Sequence, residues 1–438
     1  MSAGPPVNRP RLFLASCVAM VTLALTFSIR SDILSEMGRT FDLSHRQQGL
    51  ILAAVSWGYP VAILVAAPLV DAIGMGRLMG LGCVAHLAGL ALTIASPAYG
   101  FPVLLAASFL IGVADGLVEA VINPLVATMY PRDKTGRISA LHAAWPLGLI
   151  IGGLLCLALN RWVGWQGKMA LVLVAAAGYG LLILGQRFPR TERAASGLPA
   201  SVMFREAVRP GFLVLLVCMA FTAVTEGGPD QWIGSVMTDT TGIRGITFLI
   251  YTSVIMYVMR LYGGTLARLL SPFGLLAASC ALAGTGLFWL SHAFSPLVAL
   301  AACTVFAVGK TCLWTTLLGV TAERYPRGGS LLFALLGATG MLAAGASGPL
   351  IGHVYDRATI ARLPPPLVQR VVLDGRLSPA ARATLSSPAD LAAMREAERQ
   401  GAATTFRVIA LLPVLPLFVY LGLWFHHRRR GGWRAVRL

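Results

Sequence analysis

Long apolar runs recur along this chain, separated by short breaks of Arg, Gly, Pro and other polar residues. Twelve such runs begin near Leu12, Gly49, Leu78, Phe101, Ile138, Met169, Gly211, Ile246, Phe273, Pro296, Leu331 and Phe406. A helix that crosses a bilayer needs roughly 20 predominantly apolar residues, so each run predicts one membrane span, numbered 1 to 12 below. The pattern is that of an all-α membrane protein with twelve transmembrane helices.

Composition strengthens this reading. The chain is 56% hydrophobic and only 12% charged, outside the range of ordinary soluble domains. Its net charge of +17 would suit nucleic acid, but the basic residues are not distributed for that. More than half of the 35 Lys and Arg fall at the N-terminus, in the connections after even-numbered spans and in the tail "HHRRRGGWRAVRL". The short connections after odd-numbered spans carry Arg39, Arg46, Arg161, Lys168 and Arg244. This alternation is the positive-inside pattern. It predicts cytoplasmic termini, a bacterial inner-membrane location, a tail anchored at anionic lipid, and no nucleic-acid partner. The run from Leu12 is too long for a cleavable signal and lacks a clear cleavage site, so span 1 is expected to be retained. The seven cysteines (17, 83, 156, 218, 280, 303, 312) all lie in predicted spans without metal-type spacing and read as small buried hydrophobes.

An internal repeat organises the spans. "ATMYPRDKTG" from Ala127 recurs as "AERYPRGGS" from Ala322, an offset of 195. The chain therefore reads as two parallel six-helix repeats, residues 1–185 and 211–438, joined by a polar linker at 186–210. In such architectures the substrate site lies between the repeats near the midplane. An outer-face insertion is expected at 353–405, where Ser378 and Ser387 precede prolines and predict two short surface helices.

A charge at the centre of a span costs about 2.5–3.5 kcal/mol on insertion scales, so ionisable residues there usually face a cavity and act in it. The candidates are Arg30 and Asp32 in span 1, Asp115 and Glu119 in span 4, Glu226 in span 7 with Asp230 near its outer end, Arg260 in span 8 and Lys310 in span 10. Asp115, Glu119 and Asn123 recur every fourth residue and so share one helical face. Glu119 reads either as a carboxyl bonded to Asn123 or His142, or as a proton acceptor in a wet cavity. Asp32 is a second proton-coupling candidate, and Arg30 points to a different face of span 1. The offset of 195 maps Asp115 onto Lys310 and Glu119 onto Trp314, so the first two are candidates to pair across the cavity and Trp314 is a candidate stacking surface. His142 and Trp145 in "SALHAAW" offer a hydrogen-bonding ring and a flat apolar surface to a polyhydroxylated ligand. His86 reads as a satisfied interface histidine.

These residues bear a resemblance to a known group. "APLVDAIGMGR" resembles the loop between helices 2 and 3 of the major facilitator superfamily, with Asp71, Gly74 and Arg77 in the expected places. "EAVINPLVATMYPRDKTGRISALHAAWPLGLIIGG" and "SDIL" resemble the fucose/proton symporter branch. The resemblance implies that Glu119 and Asp32 are the proton-coupling carboxyls, that Asn123 and His142 sit near the sugar, and that no cofactor is needed. Arg77 and Arg132 become candidate partners for Asp71 on the inward-closed face. The chain departs from the branch at His142, at Arg268 in "GGTLARLLSPFG", and in carrying Lys310 together with Arg260.

The expected function is proton-coupled symport of a monosaccharide or related polyhydroxylated solute by a monomer, with protons, the small-molecule substrate and membrane lipid as its partners. The sequence leaves open a carrier for an organic anion such as a sugar acid, held by Arg30, Arg260 or Lys310, and a drug or metabolite exporter. A transporter-like sensor is a further reading. No nucleophile or metal-ligand constellation indicates an enzyme or a metal site.

Overall fold

The computed structural model describes residues 7–43, 45–241, 245–293, 295–373, 375–378, 381–382 and 384–438; at 35, 45, 46, 230–241, 245–247, 249 and 376 only the backbone is described. Every predicted span is a helix. Spans 1 to 4 are Arg9–Thr40, His45–Ala66, Met75–Ala95 and Phe101–Met129. Span 5 is two helices, Lys134–His142 and Ala144–Leu159, and span 6 is Trp165–Ile183. Span 7 is Pro210–Thr241, span 8 is Gly245–Leu261 continued by Gly263–Leu270, and span 9 is Pro272–Leu290. Span 10 breaks at Cys312 into Pro296–Thr311 and Leu313–Arg324. Span 11 is Gly329–Ile360, and span 12 comprises Pro388–Ile409 and Val414–Arg429. Among the described residues, eleven helices are long and apolar enough to cross a membrane, and Ile250–Leu261 is a shorter apolar helix. Large apolar side chains such as Val84, Val174, Leu297 and Phe418 are exposed on the outside of the bundle, where acyl chains replace water.

The breaks between spans have local causes. Gly74 (φ 97°) and Gly100 (φ 85°) turn the chain into spans 3 and 4 in a region that a Cβ disfavours. Ser271 takes φ 62° and accepts the Gly274 N–H as the cap of span 9. Prolines stand in the first turn of spans 1, 4, 9 and 10, where their missing N–H costs nothing.

Within the first six spans, 1 packs on 5 and 6, 2 on 4, and 3 on 4 and 6; within the last six, 7 packs on 8 and 11, and 9 on 10 and 12. The two sixes meet through span 5 against spans 8 and 10, and through span 11 against spans 2 and 4. The second pairing is the first with the roles exchanged, as the 195-residue repeat requires.

Spans 2 and 4 approach through glycines. A Cβ on Gly112 would lie 2.2 Å from the Val55 carbonyl oxygen, and one on Gly116 would lie 2.4 Å from that of Tyr59. Small residues let helix backbones touch and gain dispersion contacts that larger side chains forbid. Gly112→Val is expected to force the helices apart and abolish recovery of monodisperse protein in detergent. Gly80→Ala, where nothing lies within 4 Å, is expected to leave recovery and melting unchanged. Equal behaviour of the two variants in fluorescence-detected size exclusion would refute this account of the span 2–4 seam.

The segment between spans 11 and 12 is more helical than the sequence suggested. Span 11 runs on to Ile360, and the helix opening at Pro388 leads through a turn at 410–413 directly into the rest of span 12. Between them lie a helix at Pro365–Val371 and a two-residue hairpin, Val372–Leu373 with Arg376–Leu377. They close over a small core that includes Leu363, Leu367, Val371, Leu385 and Met394. Ser378 Oγ accepts from the Ala381 N–H at 3.2 Å, whereas Ser387 makes no side-chain cap bond. Pro379 and Ala380, where the other surface helix was expected to open, lie outside the described residues.

Candidate functional site

The polar residues inside the spans fall into linked groups. In the first, Asn123 Nδ2 donates to Glu119 Oε2 at 2.6 Å, and Asn123 Oδ1 meets His142 Nε2 at 2.9 Å. Glu119, Asn123 and His142 are all buried, at 8%, 3% and 4% exposure. An ionised carboxylate only accepts, so Asn123 turns its NH2 to Glu119 and its oxygen to His142, which then carries its proton on Nε2. Because Pro146 has no N–H to return to it, the His142 carbonyl is open to a side chain from outside its own helix. Arg260 of span 8 donates to that carbonyl at 3.2 Å, to the Thr311 carbonyl at 3.1 Å and to Glu226 Oε1 at 2.5 Å. Ser139 Oγ reciprocates by donating to the Arg260 carbonyl at 2.8 Å. A continuous chain, Glu119–Asn123–His142–Arg260–Glu226, thus joins spans 4 and 5 to spans 8 and 7.

A second group lies deeper in the first six spans. His86 is fully buried, with one ring nitrogen 2.8 Å from Tyr179 Oη and the other 2.8 Å from Asp115 Oδ1. Asp115 is therefore tied within its own six-helix set by a histidine from span 3. Lys310, which the repeat places opposite it, has its ammonium 5.2 Å from the centre of the Phe306 ring. Arg30 is 4% exposed, and its Nη2 is buried without a hydrogen-bond partner among the described residues. Trp145 stands on span 5 with its ring 5.9 Å from that of Phe27 on span 1. Trp314 packs so closely on Gly340 of span 11 that a Cβ there would lie 2.4 Å from its ring.

Asp32 belongs to a third group, toward the end of span 1 away from the termini. Lys168 on span 6 is 1% exposed and uses its three N–H donors on Asp32 Oδ2 (3.1 Å), Glu36 Oε1 (3.0 Å) and Asn160 Oδ1 (2.9 Å). An ammonium buried without such acceptors would cost several kcal/mol. The hydrophobic pattern placed the start of span 6 at Met169, so Lys168 read as a loop charge. The side chain of Asp230 lies outside the described residues.

On the face that holds Arg9 and the tail after Arg429, polar contacts tie the spans to one another and to the linker. Asp71 is held by Arg193 Nη2 at 2.6 Å and by Thr191 Oγ1 at 2.7 Å, both from the segment between spans 6 and 7. Its partners are thus not Arg77, whose guanidinium reaches back only to the Ile73 carbonyl at 3.5 Å, nor Arg132. Arg193 also donates to the Leu198 carbonyl. At the start of span 5, Lys134 donates to Glu192 at 2.5 Å and to the Ala322 carbonyl at 3.2 Å, and Thr135 Oγ1 donates to Glu323 Oε1 at 2.5 Å. The repeat-related crossing is Ser330 at the start of span 11, whose hydroxyl donates to the Ala67 carbonyl at 2.5 Å. Glu323 also anchors the tail: its Oε2 accepts from Trp433 Nε1 at 2.6 Å and its carbonyl from the Val436 N–H at 2.8 Å. Outside the spans, burial raises the Tyr325 hydroxyl above its ordinary pKa, which leaves it protonated at this seam.

The sequence missed Lys168, Glu36, Tyr179, Arg193, Lys134 and Glu323 because each sits at a span end or on a helix whose neighbours cannot be read from spacing.

Comparison with known proteins fits this arrangement. The family model of the Major Facilitator Superfamily matches residues 12–349. A chloramphenicol resistance protein of Streptomyces lividans is 26% identical over 81% of this chain and 90% of its own length. A D-xylose transporter of Levilactobacillus brevis is 28% identical over 34% of this chain and 32% of its own length. The Escherichia coli fucose:proton symporter FucP, in its outward conformation, superposes with a TM-score of 0.68 at 17% identity, covering 93% of this chain and 99% of that one. A twelve-span helical bundle, polar chains crossing between its two sixes and a family match over most of the length lead to one conclusion: this chain belongs to the Major Facilitator Superfamily and is an integral membrane transporter.

Proposed function

We propose that this transporter is a proton-coupled symporter of a monosaccharide or related polyhydroxylated solute. It works by rocking residues 1–185 against 211–438, with 186–210 as the linker. The observation that carries this reading is the buried chain from Glu119 through Asn123 and His142 to Arg260 and Glu226. Glu119 is an acid whose hydrogen bonds run into the contact that the two sets of spans must remake as they rock. Protonation gives Glu119 a donor that the carboxylate lacks, and Asn123 can meet either form by turning its amide. A turned amide reverses the tautomer required of the His142 ring, while Arg260 holds the main-chain carbonyl of the same residue. A proton on Glu119 is thus felt at the helix segment that Arg260 grips across the seam, and it favours whichever state of the seam binds it more tightly. Asp32 and Glu226 are the further proton-coupling candidates. Asp115, Asn123, His142, Trp145, Arg260, Lys310 and Trp314 are the candidates for the substrate cavity, together with Arg30. Asp71, Gly74, Arg77 and Arg132 belong to the gating region, in which Arg193 holds Asp71. Positive-inside charge makes the terminus-bearing face cytoplasmic, and the protein works as a monomer in the inner membrane.

The test is a pH measurement outside lightly buffered cells expressing the protein, with sugars and sugar acids added singly. External alkalinisation on addition of one solute is the expected result. Silence with every solute, together with absence of binding to the purified protein, would remove the sugar assignment. The likeness to the Streptomyces lividans protein supports a second reading, export by antiport. In that case everted vesicles would accumulate chloramphenicol on energisation and the alkalinisation would be absent.

A further inference from the structure

We propose that Arg30 is the anchor for a carboxylate on the transported solute, so that the substrate is a sugar acid of the aldonic or uronic class. This rests on the reading above and narrows its substrate.

The cations buried in the spans differ in how their donors are met. Lys168 has three acceptors for its three donors. Arg260 has three acceptors, one of them a carboxylate. Lys310 is engaged with Phe306. Arg30 differs, because it is 96% removed from solvent and yet Nη2 donates to nothing among the described residues. Asp115 Oδ1 is committed to the buried His86, whose other ring nitrogen meets Tyr179, and among the described residues no ion pair joins Asp115 to Arg30.

A buried donor left unbonded costs about 1–3 kcal/mol, and more when it is charged. A planar guanidinium is built to hold a carboxylate through two parallel hydrogen bonds. The orphan donor lies on span 1, which lines the same interior as the Glu119 chain on span 4. An acceptor missing among the described residues at that point is supplied by what the protein carries. A solute carboxylate at Arg30 leaves its hydroxyls to polar side chains such as Asn123 and His142.

The experiment is binding to purified protein, read by tryptophan fluorescence and thermal shift, with D-gluconate, D-galacturonate and neutral D-galactose as probes. Wild type is expected to bind at least one acid and to prefer it to the neutral sugar. Arg30→Gln is expected to weaken acid binding by about ten- to a hundredfold, the loss of a charged pair of hydrogen bonds, and to weaken any galactose binding far less, so that the preference for the acid is lost. Arg30→Lys keeps the charge without the fork and is expected to fall between the two. It also provides a folded comparison should Arg30→Gln fail to elute as a single species. Galactose binding of equal strength in wild type and both variants, with no acid bound, would overturn the assignment of Arg30 and leave the sugar symporter standing. Failure of all three probes to bind folded wild type, together with no proton movement in the cell assay, would overturn both.

Discussion

Replacing Glu119 by Gln is expected to reduce solute-driven proton uptake to background while leaving solute binding and solute exchange across the membrane close to wild type. The substitution keeps an oxygen able to accept from Asn123 Nδ2, so the 2.6 Å contact and the link onward to His142 survive. What it removes is the choice between a charged and a neutral side chain at a position only 8% exposed. Without that choice, a proton gradient has no differential hold on the two ends of the cycle, and a ligand that does not discriminate between states shifts nothing. Exchange needs only the loaded carrier to reorient, so it continues. The check is a pair of assays on the same proteoliposomes: uptake driven by an imposed pH gradient, and counterflow of labelled solute with no gradient. Loss of both would identify Glu119 as a binding or structural carboxyl, and retention of both would place the proton elsewhere. Asp32 would be next, where Asp32→Asn keeps an oxygen that can accept from Lys168 but removes one of the two carboxylate charges facing it.

The largest stability effect is expected at Arg260. Arg260→Met deletes three hydrogen bonds that tie span 8 to spans 5, 7 and 10, and leaves the Glu226 carboxylate without the guanidinium that faces it at 2.5 Å. Breaking one side of a buried ion pair typically costs about 3–5 kcal/mol, because the surviving charge is uncompensated. A second substitution that removes this charge, Glu226→Gln, is expected to restore most of the loss, since the pair as a whole contributes far less than either member costs alone. Melting in detergent of wild type, both single variants and the double variant gives the interaction directly as a thermodynamic cycle. Strict additivity of the two single effects would show that the contact is not an energetic pair. A double variant that is stable but unable to transport would separate the role of the pair in the moving seam from its role in holding the fold.

The number of spans and their order follow from the one-dimensional pattern, because lipid demands that each crossing satisfy its backbone internally over roughly 20 apolar residues. The repeat at Tyr130 and Tyr325 likewise needed no coordinates, and its consequence appears in the reciprocal packing of span 5 and span 11. The face shared by Asp115, Glu119 and Asn123 was legible from their spacing of four. Partner choice was not. Asp115 meets His86 from span 3, and Asp71 meets Arg193 from the connection between spans 6 and 7. Such pairings join residues far apart in the chain, and helical periodicity orients a side chain without saying which neighbouring helix faces it. The ends of the spans were illegible for a related reason: Lys168 is drawn into the bundle by three acceptors on other segments, while hydropathy counts it as a loop residue. Apolar length is a property of each segment alone, whereas the satisfaction of a buried charge belongs to the packed set. Chain pattern therefore settles the membrane crossings of this protein, and the assembled bundle settles which polar groups are matched and which, like Arg30, keep a donor unmatched among the described residues.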